Sequence, residues 1–385
     1  MKENKYDRRL LSAEAGNPYK WRNRLPAGSD MFFGRTREME QIMDMLSSSQ
    51  PQCVSLVGER RIGKSSLAFR LYRQIKEKQD TLAIYLDCDS LPQKCESEND
   101  FYRLLNDAFQ QELDRDAGMK EQAGITGEAL FTGYREFRRF VDGVSQKGIR
   151  PAIFLDEFEH LPDQGFADNR FFSNLRSIAD TPDFFLAFVT ISKTGIKELT
   201  HRAIQSSSFY NIFETAFIGL LDPGSIAKLR DKGFQEEKFK LTGEEKKKIG
   251  YYAGDFAFFN QVVCTFLWDA KHHGETPDWD DLEVKLLPYY ETLWQGRTRG
   301  EQVLLKKLIK DNKSGDFDLK ALKVRGLLTR EENRYYPFSG FFARLMAERF
   351  QVRKKDISRE GILKTTKEVL EVLNSAKDLI PGQGD

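Results

Sequence analysis

Gly58-Glu59-Arg60-Arg61-Ile62-Gly63-Lys64-Ser65 fits the phosphate-binding pattern G-x-x-x-x-G-K-[ST] at every fixed position. The flanks fit as well. Cys53-Val54-Ser55-Leu56-Val57 is a short apolar run that predicts a buried strand, and Ser66 to Tyr72 carries apolar residues at helical spacing. A strand, a glycine-bounded loop and a helix N-terminus together make an anion cradle. Gly58 and Gly63 permit the tight curvature that turns successive N–H groups toward phosphate oxygens, and the helix dipole favours negative charge at the same spot. Gly58, Glu59, Arg60, Arg61, Ile62, Gly63, Lys64, Ser65 and Ser66 are therefore the expected phosphate-binding segment. Within it Lys64 should reach the β- and γ-phosphates, and the Ser65 hydroxyl should coordinate Mg²⁺.

A second motif lies far downstream. Ala152-Ile153-Phe154-Leu155-Asp156-Glu157 is an apolar run ending in two acids, which predicts a buried parallel strand with carboxylates at its C-terminal tip. Ligands of open α/β sheets sit at that end. Asp156 is expected to hold the Mg²⁺ through water and Glu157 to polarise an attacking water. The two motifs together imply binding of a nucleoside triphosphate.

The composition agrees with a globular chain. Its 385 residues suffice for two or three domains, 40% are hydrophobic and 31% charged. A formal net charge of +1 supplies no global field for nucleic acid or acidic membrane. Cys53, Cys88, Cys95 and Cys264 form no C-x-x-C pair, and buried free thiols in a reducing compartment account for them. The charged start, Met1-Lys2-Glu3-Asn4-Lys5, is no signal segment, and no run approaches the length of a membrane span. A cytoplasmic location without membrane contact is expected.

Strand and helix patterns alternate through the middle of the chain, as a parallel sheet demands. Further strands are expected at Thr81–Asp87, Phe184–Ser192 and Ala216–Leu220, with helices near Phe101–Leu113 and Phe131–Val144. After Asp222-Pro223 the pattern turns helical, at Glu244–Tyr252, Phe256–Ala270 and Leu282–Trp294. His272-His273 lacks an acid or Cys partner at helical spacing and reads as a solvated turn. From about 297 two helices precede a hairpin with the charged tip Arg330–Arg334, which is the winged-helix order. Its second helix offers only Lys320, Lys323 and Arg325 as cations, thin for reading a DNA groove. The tail sets Ile362, Thr366, Val369, Leu373, Ala376 and Ile380 on one helical face, suited either to its own chain or to a partner.

These residues resemble the STAND-type, AAA-like P-loop ATPases of bacteria, relatives of the AAA+ and NLR-type signalling NTPases. The carriers are Asn17-Pro18-Tyr19, Phe32-Phe33-Gly34-Arg35, Gly58–Ser66, Asp156-Glu157, the run from 207 to 213, and Phe338-Ser339-Gly340-Phe341-Phe342. The resemblance implies an α/β P-loop NTPase domain with a parallel five-stranded sheet, an α-helical lid and a winged helix. In residue numbers the expected order is a lead and nucleotide-flanking loop (1–30), the ATPase domain (31–221), the lid (222–296), the winged helix (297–350) and a tail helix (351–385). It also implies that Phe33 and Arg35 line the pocket for base and ribose. Where the group often has an arginine after the fourth strand, this chain reads Thr190-Ile191-Ser192-Lys193, so Ser192 or Lys193 becomes the candidate γ-phosphate sensor. Gly254-Asp255-Phe256 stands where relatives often carry Gly-x-Pro. The implied activity is slow hydrolysis of ATP to ADP with Mg²⁺, in a switch that oligomerises with ATP and acts through a separately encoded effector, for instance in stress signalling or phage defence. The alternative is a DNA-engaging ATPase, akin to a replication initiator or transposition helper, that uses the winged helix.

Overall fold

Five apolar runs become the strands of one parallel sheet: β1 (Cys53–Gly58), β2 (Thr81–Asp87), β3 (Arg150–Asp156), β4 (Ala187–Ser192) and β5 (Phe213–Ile218). Their spatial order is β2-β3-β4-β1-β5, and every pairing is parallel. This computed structural model describes residues 16–125, 130–197, 199, 208–311, 317–332 and 334–351. Every residue of β1 and β4 is buried, the pattern of central parallel strands, which read as continuous apolar runs. Parallel neighbours need crossovers. Helix Lys64–Lys76 follows β1, helices Glu98–Arg115 and Tyr134–Ser145 join β2 to β3, and Asn169–Ala179 joins β3 to β4.

Three details differ from the sequence reading. The fourth strand starts at Ala187 rather than Phe184, because the Phe184 N–H bonds the Thr181 carbonyl and the Phe185 N–H bonds the Ser145 hydroxyl. Neither donor is left for the ladder. The fifth strand is Phe213–Ile218 rather than Ala216–Leu220, since Phe213 already pairs opposite Cys53 at the start of β1. The helix Asn169–Ala179 was not anticipated. Asp168 caps it through the Phe171 N–H at 2.8 Å, and Phe171, Phe172, Leu175 and Ile178 form its buried face.

Phenylalanine builds the core of this unit. Phe171 meets Phe101 edge-on at 5.3 Å and Phe172 at 5.1 Å, while Phe209 lies 5.3 Å from Phe172 and 5.0 Å from Phe213. Such tilted and edge-to-face contacts suit the ring quadrupole and add to the area buried.

Contacts divide the chain into two compact units. One contains Arg35–Ile218, and the other contains the described residues up to Leu25, Ser29–Gly34 and the described residues from Gly219 onward. The second unit is mainly helical: Pro223–Glu236, Gly243–Ala253, Ala257–His272, Trp279–Gln295, Arg299–Asp311, Phe317–Val324 and Gly340–Glu348. An antiparallel hairpin, β6 (Leu328–Glu331) with β7 (Arg334–Pro337), precedes the last of these. The regions expected as lid and winged helix thus share one unit, in the anticipated order of helix, helix, hairpin. Gly254 ties them together. Its φ is +50°, and a Cβ there would meet the Phe338 carbonyl oxygen at 1.6 Å. Its own carbonyl accepts from Arg230 Nη2 at 2.6 Å and from Asn260 Nδ2 at 2.8 Å.

Asn17-Pro18-Tyr19 also packs within the helical unit. Asn17 donates to Asp269 at 2.7 Å, the Tyr19 hydroxyl donates to the Arg230 carbonyl at 2.6 Å, and Gly233 leaves room for the Pro18 and Tyr19 rings. The tryptophans follow the same division. Trp21 lies edge-on to Tyr289, Trp268 is fully buried, Trp279 stacks on Tyr252 and Trp294 on Phe350. All four tryptophans therefore belong to the helical unit. His272 stacks on Trp268 at 4.7 Å, and His273 Nδ1 contacts the Asp269 carbonyl. The four cysteines are buried and free. No helix among the described residues is long and apolar enough to cross a membrane. The apolar tail stripe from Ile362 to Ile380 lies outside the described residues.

Candidate nucleotide site

The sheet order sets the tips of β3, β4 and β1 side by side, and the register aligns Val57 with Ser192 and Leu155 with Thr190. The loop that leaves β1 therefore emerges beside the acids that end β3. Gly58 must be glycine here, since a Cβ would stand 2.3 Å from the Ile218 carbonyl oxygen. Past it the loop closes on itself, with the Ile62 N–H bonded to the Glu59 carbonyl at 3.2 Å. Glu59 and Ile62 are buried, whereas Arg60 and Arg61 are exposed. Arg61 adopts φ +66° and Gly63 φ +109°, the left-handed turns that start helix Lys64–Lys76.

No side chain caps that helix and no acid occupies its first turn. Its first N–H groups and the positive end of its dipole face the loop, an arrangement that fits an anion. Lys64 Nζ donates to the Glu59 carbonyl at 3.0 Å. Burial pulls its amine below the ordinary lysine range, opposed by the nearby Glu157, Glu159, Glu59 and Asp156 carboxylates. A partly desolvated ammonium at the loop's centre is a suitable partner for phosphate oxygens.

Ser65 and Asp156 meet as expected. Ser65 Oγ donates to Asp156 Oδ1 at 3.1 Å, and the Glu157 N–H donates to the same oxygen at 3.0 Å. A hydroxyl and a carboxylate side by side are hard oxygen donors of the kind Mg²⁺ selects, so the residues present fit that ion. Glu157 has φ +49°, uncommon for a residue with a side chain. That turn releases it from the strand and leaves it exposed beside the loop. Partial shielding raises its carboxyl above the ordinary range, helped by Glu159 and Asp156 and opposed by Lys64 and Arg60.

Ser192 is buried at the tip of β4, with its hydroxyl donating to the Thr194 carbonyl at 2.6 Å; Lys193 beside it is half-buried. Arg35 is buried, with its guanidinium held by Glu38 Oε1 at 3.1 Å and within 3.5 Å of the Ile62 carbonyl of the loop. It braces the loop directly. Phe33 and Ser66 are each half-buried, Phe33 in the helical unit and Ser66 in the sheet unit.

Two participants escaped the sequence reading. Tyr85, on β2, donates its hydroxyl to Asp156 Oδ2 at 2.6 Å. Glu159, two residues past Glu157, adds negative charge around Lys64. A second acid after the Asp-Glu pair was a visible signal for Glu159. Nothing local to Thr81–Asp87 indicates what the Tyr85 hydroxyl would meet.

Residues 31–179 match the family model described as AAA ATPase domain. No curated protein sequence matches the chain. Among solved structures, the Walker-type ATPase of Pyrococcus abyssi is 15% identical with a TM-score of 0.55, over 86% of this chain and 99% of that one. An ORC2 protein of Aeropyrum pernix, in ADPNP–ADP complexes, is 11% identical with a TM-score of 0.46, over 92% of this chain and 97% of that one. Domain III of the Thermotoga maritima replication initiation protein DnaA is 13% identical with a TM-score of 0.42, over 67% of this chain and 94% of that one. The match to the AAA ATPase domain model over residues 31–179 thus falls on a P-loop NTPase fold whose parallel sheet runs on to Ile218.

Proposed function

We propose that the chain binds ATP with Mg²⁺, hydrolyses it slowly, and works as a regulatory switch that oligomerises with ATP and acts on a separate effector protein. The observation that carries the hydrolytic part is the meeting of Ser65, Asp156 and the Glu157 N–H at the mouth of an uncapped phosphate loop. Lys64 and the loop N–H groups bind the triphosphate, Ser65 and Asp156 hold the ion, and Glu157 takes the proton of the attacking water. Mg²⁺, when bound, neutralises charge on the phosphate oxygens. Ser192 and Lys193 are the nearest candidates to sense the γ-phosphate. Neither offers the bidentate fork of an arginine, which supports slow turnover. Arg35 is assigned to the base end through its hold on the loop.

The hairpin Leu328–Pro337 favours a second reading, a winged helix that engages DNA. One observation weighs against it. Of the three cations expected to face a duplex, Arg325 is half-buried and engaged with Glu301 at 2.7 Å, while Lys320 and Lys323 are exposed. The deciding experiment is the particle mass in solution with ADP and with a non-hydrolysable ATP analogue, each with and without duplex DNA. The switch requires a larger particle with the analogue alone. Growth only when DNA is added, together with a steep loss of binding as salt rises, would overturn it in favour of the second reading.

A further inference from the structure

Asp156 is held from both of its oxygens. Oδ1 takes the Ser65 hydroxyl and the Glu157 N–H, while Oδ2 takes the Tyr85 hydroxyl. The third donor comes from the neighbouring strand. In the parallel register Tyr85 stands opposite Phe154, two residues short of Asp156. Its ring stacks on Phe154 at 6.0 Å and 13°, while Phe69 and Tyr72 meet it edge-on at 5.7 and 5.5 Å. Two strand residues span about 6–7 Å, roughly the reach of a tyrosine side chain laid along the sheet. The aromatic packing therefore delivers a phenol hydroxyl to the carboxylate at the strand tip.

An aspartate's terminal torsion is broad and roughly two-fold, so a carboxylate held on one side can still turn. A donor on the opposite oxygen removes that freedom. We propose that Tyr85 is a positioning residue for the metal: its hydroxyl locks the rotation of the Asp156 carboxylate so that Oδ1 stays turned toward Ser65. This rests on the reading of Ser65 and Asp156 as the residues that hold Mg²⁺. It predicts a role in ion affinity, separate from any role of the ring in the core.

Tyr85→Phe removes one oxygen and keeps the ring packing. Two affinities are read on the full chain: that for a fluorescent ATP analogue in EDTA, and that for Mn²⁺ with a non-hydrolysable ATP analogue present, followed by electron paramagnetic resonance. Mn²⁺ affinity should fall about tenfold, the scale of one hydrogen bond to a charged group, with metal-free nucleotide affinity within about twofold of wild type on the same scale. In an Asp156→Asn background the same change should cost no further Mn²⁺ affinity, since the group that it orients has gone. Unchanged Mn²⁺ affinity in Tyr85→Phe overturns the inference. So does an equal loss of metal-free nucleotide affinity, which would mark general distortion, or an undiminished loss in the Asp156→Asn background. A wild-type protein that binds the analogue yet takes up no Mn²⁺ would instead overturn the underlying assignment of Ser65 and Asp156, and the inference with it.

Discussion

The sheet unit and the helical unit use polar side chains in opposite ways. In the sheet unit they converge: Lys64 and Ser65 from one helix, Tyr85 from β2, Asp156 from the end of β3 and Glu157 just past it gather on the C-terminal side of the sheet. In the helical unit they disperse into braces. Arg230 clasps Asn260 and the Gly254 carbonyl, Asn17 ties to Asp269, and Glu301 holds Arg325. The difference follows from architecture. A parallel sheet points all its strand ends one way and leaves their side chains beside an open crevice. A helical bundle spends its polar groups on satisfying the helix ends and backbone carbonyls that it buries.

The contrast predicts that changes at the strand tips alter chemistry, while changes at the braces alter stability. The largest effect should come from Glu157→Gln. The amide keeps the shape but cannot accept a proton, so hydrolysis should fall by about 10²–10⁴, with ATP still bound. Single-turnover hydrolysis beside a filter-binding assay reads both quantities, and near wild-type turnover would remove Glu157 as the base. Lys64→Ala comes next. Loss of a charge-assisted contact of about 1.5–3 kcal/mol should weaken triphosphate binding at least tenfold while leaving the melting temperature nearly unchanged. A drop in stability as large as the drop in affinity would show that the lysine is a brace after all.

On the helical side, Arg230→Ala leaves the Asn260 carboxamide oxygen and the Gly254 carbonyl without their shared donor. The expected cost is about 3 kcal/mol, read from denaturant unfolding. A stability within error of wild type would remove Arg230 as a brace. The smallest effect belongs to a cap in the sheet unit. Asp168→Ala should cost about 1 kcal/mol and lower the melting temperature without touching nucleotide affinity. Because Asp168 lies in the unit that carries the site, lost affinity there would blur the division just drawn.

What could be read from the sequence divides along the same line. The phosphate loop and the acidic tip were legible because each is local: a few adjacent residues specify the turn, the charge and the neighbouring strand. Helix Asn169–Ala179 was also legible in principle, since Asp168 precedes apolar residues spaced by three and four, but its paired phenylalanines obscure the period. The shift of the strand starts to Ala187 and Phe213 was not legible. It depends on which acceptor takes the Phe184 and Phe185 N–H groups, and on the register against β1. Tyr85 lay furthest from view, because its partner is fixed only when β2 and β3 pair in register. Gly254 is similar: its place under Phe338 is set by contact with a residue 84 positions further along the chain, not by its neighbours.

The confinement of every tryptophan to the helical unit has an optical consequence. The site lies among tyrosines and phenylalanines, so excitation at the red edge of the absorption band selects emission from the other unit alone. Trp268 and Trp294 are buried, while Trp21 and Trp279 are half-exposed, which gives two shielded and two solvent-sensitive emitters. A change in emission on adding ATP to the unlabelled protein would therefore report a signal sent from the phosphate loop to residues that do not form it. Comparing ADP, ATP and the Glu157→Gln protein in one cuvette would time that signal against hydrolysis, with no engineered dye.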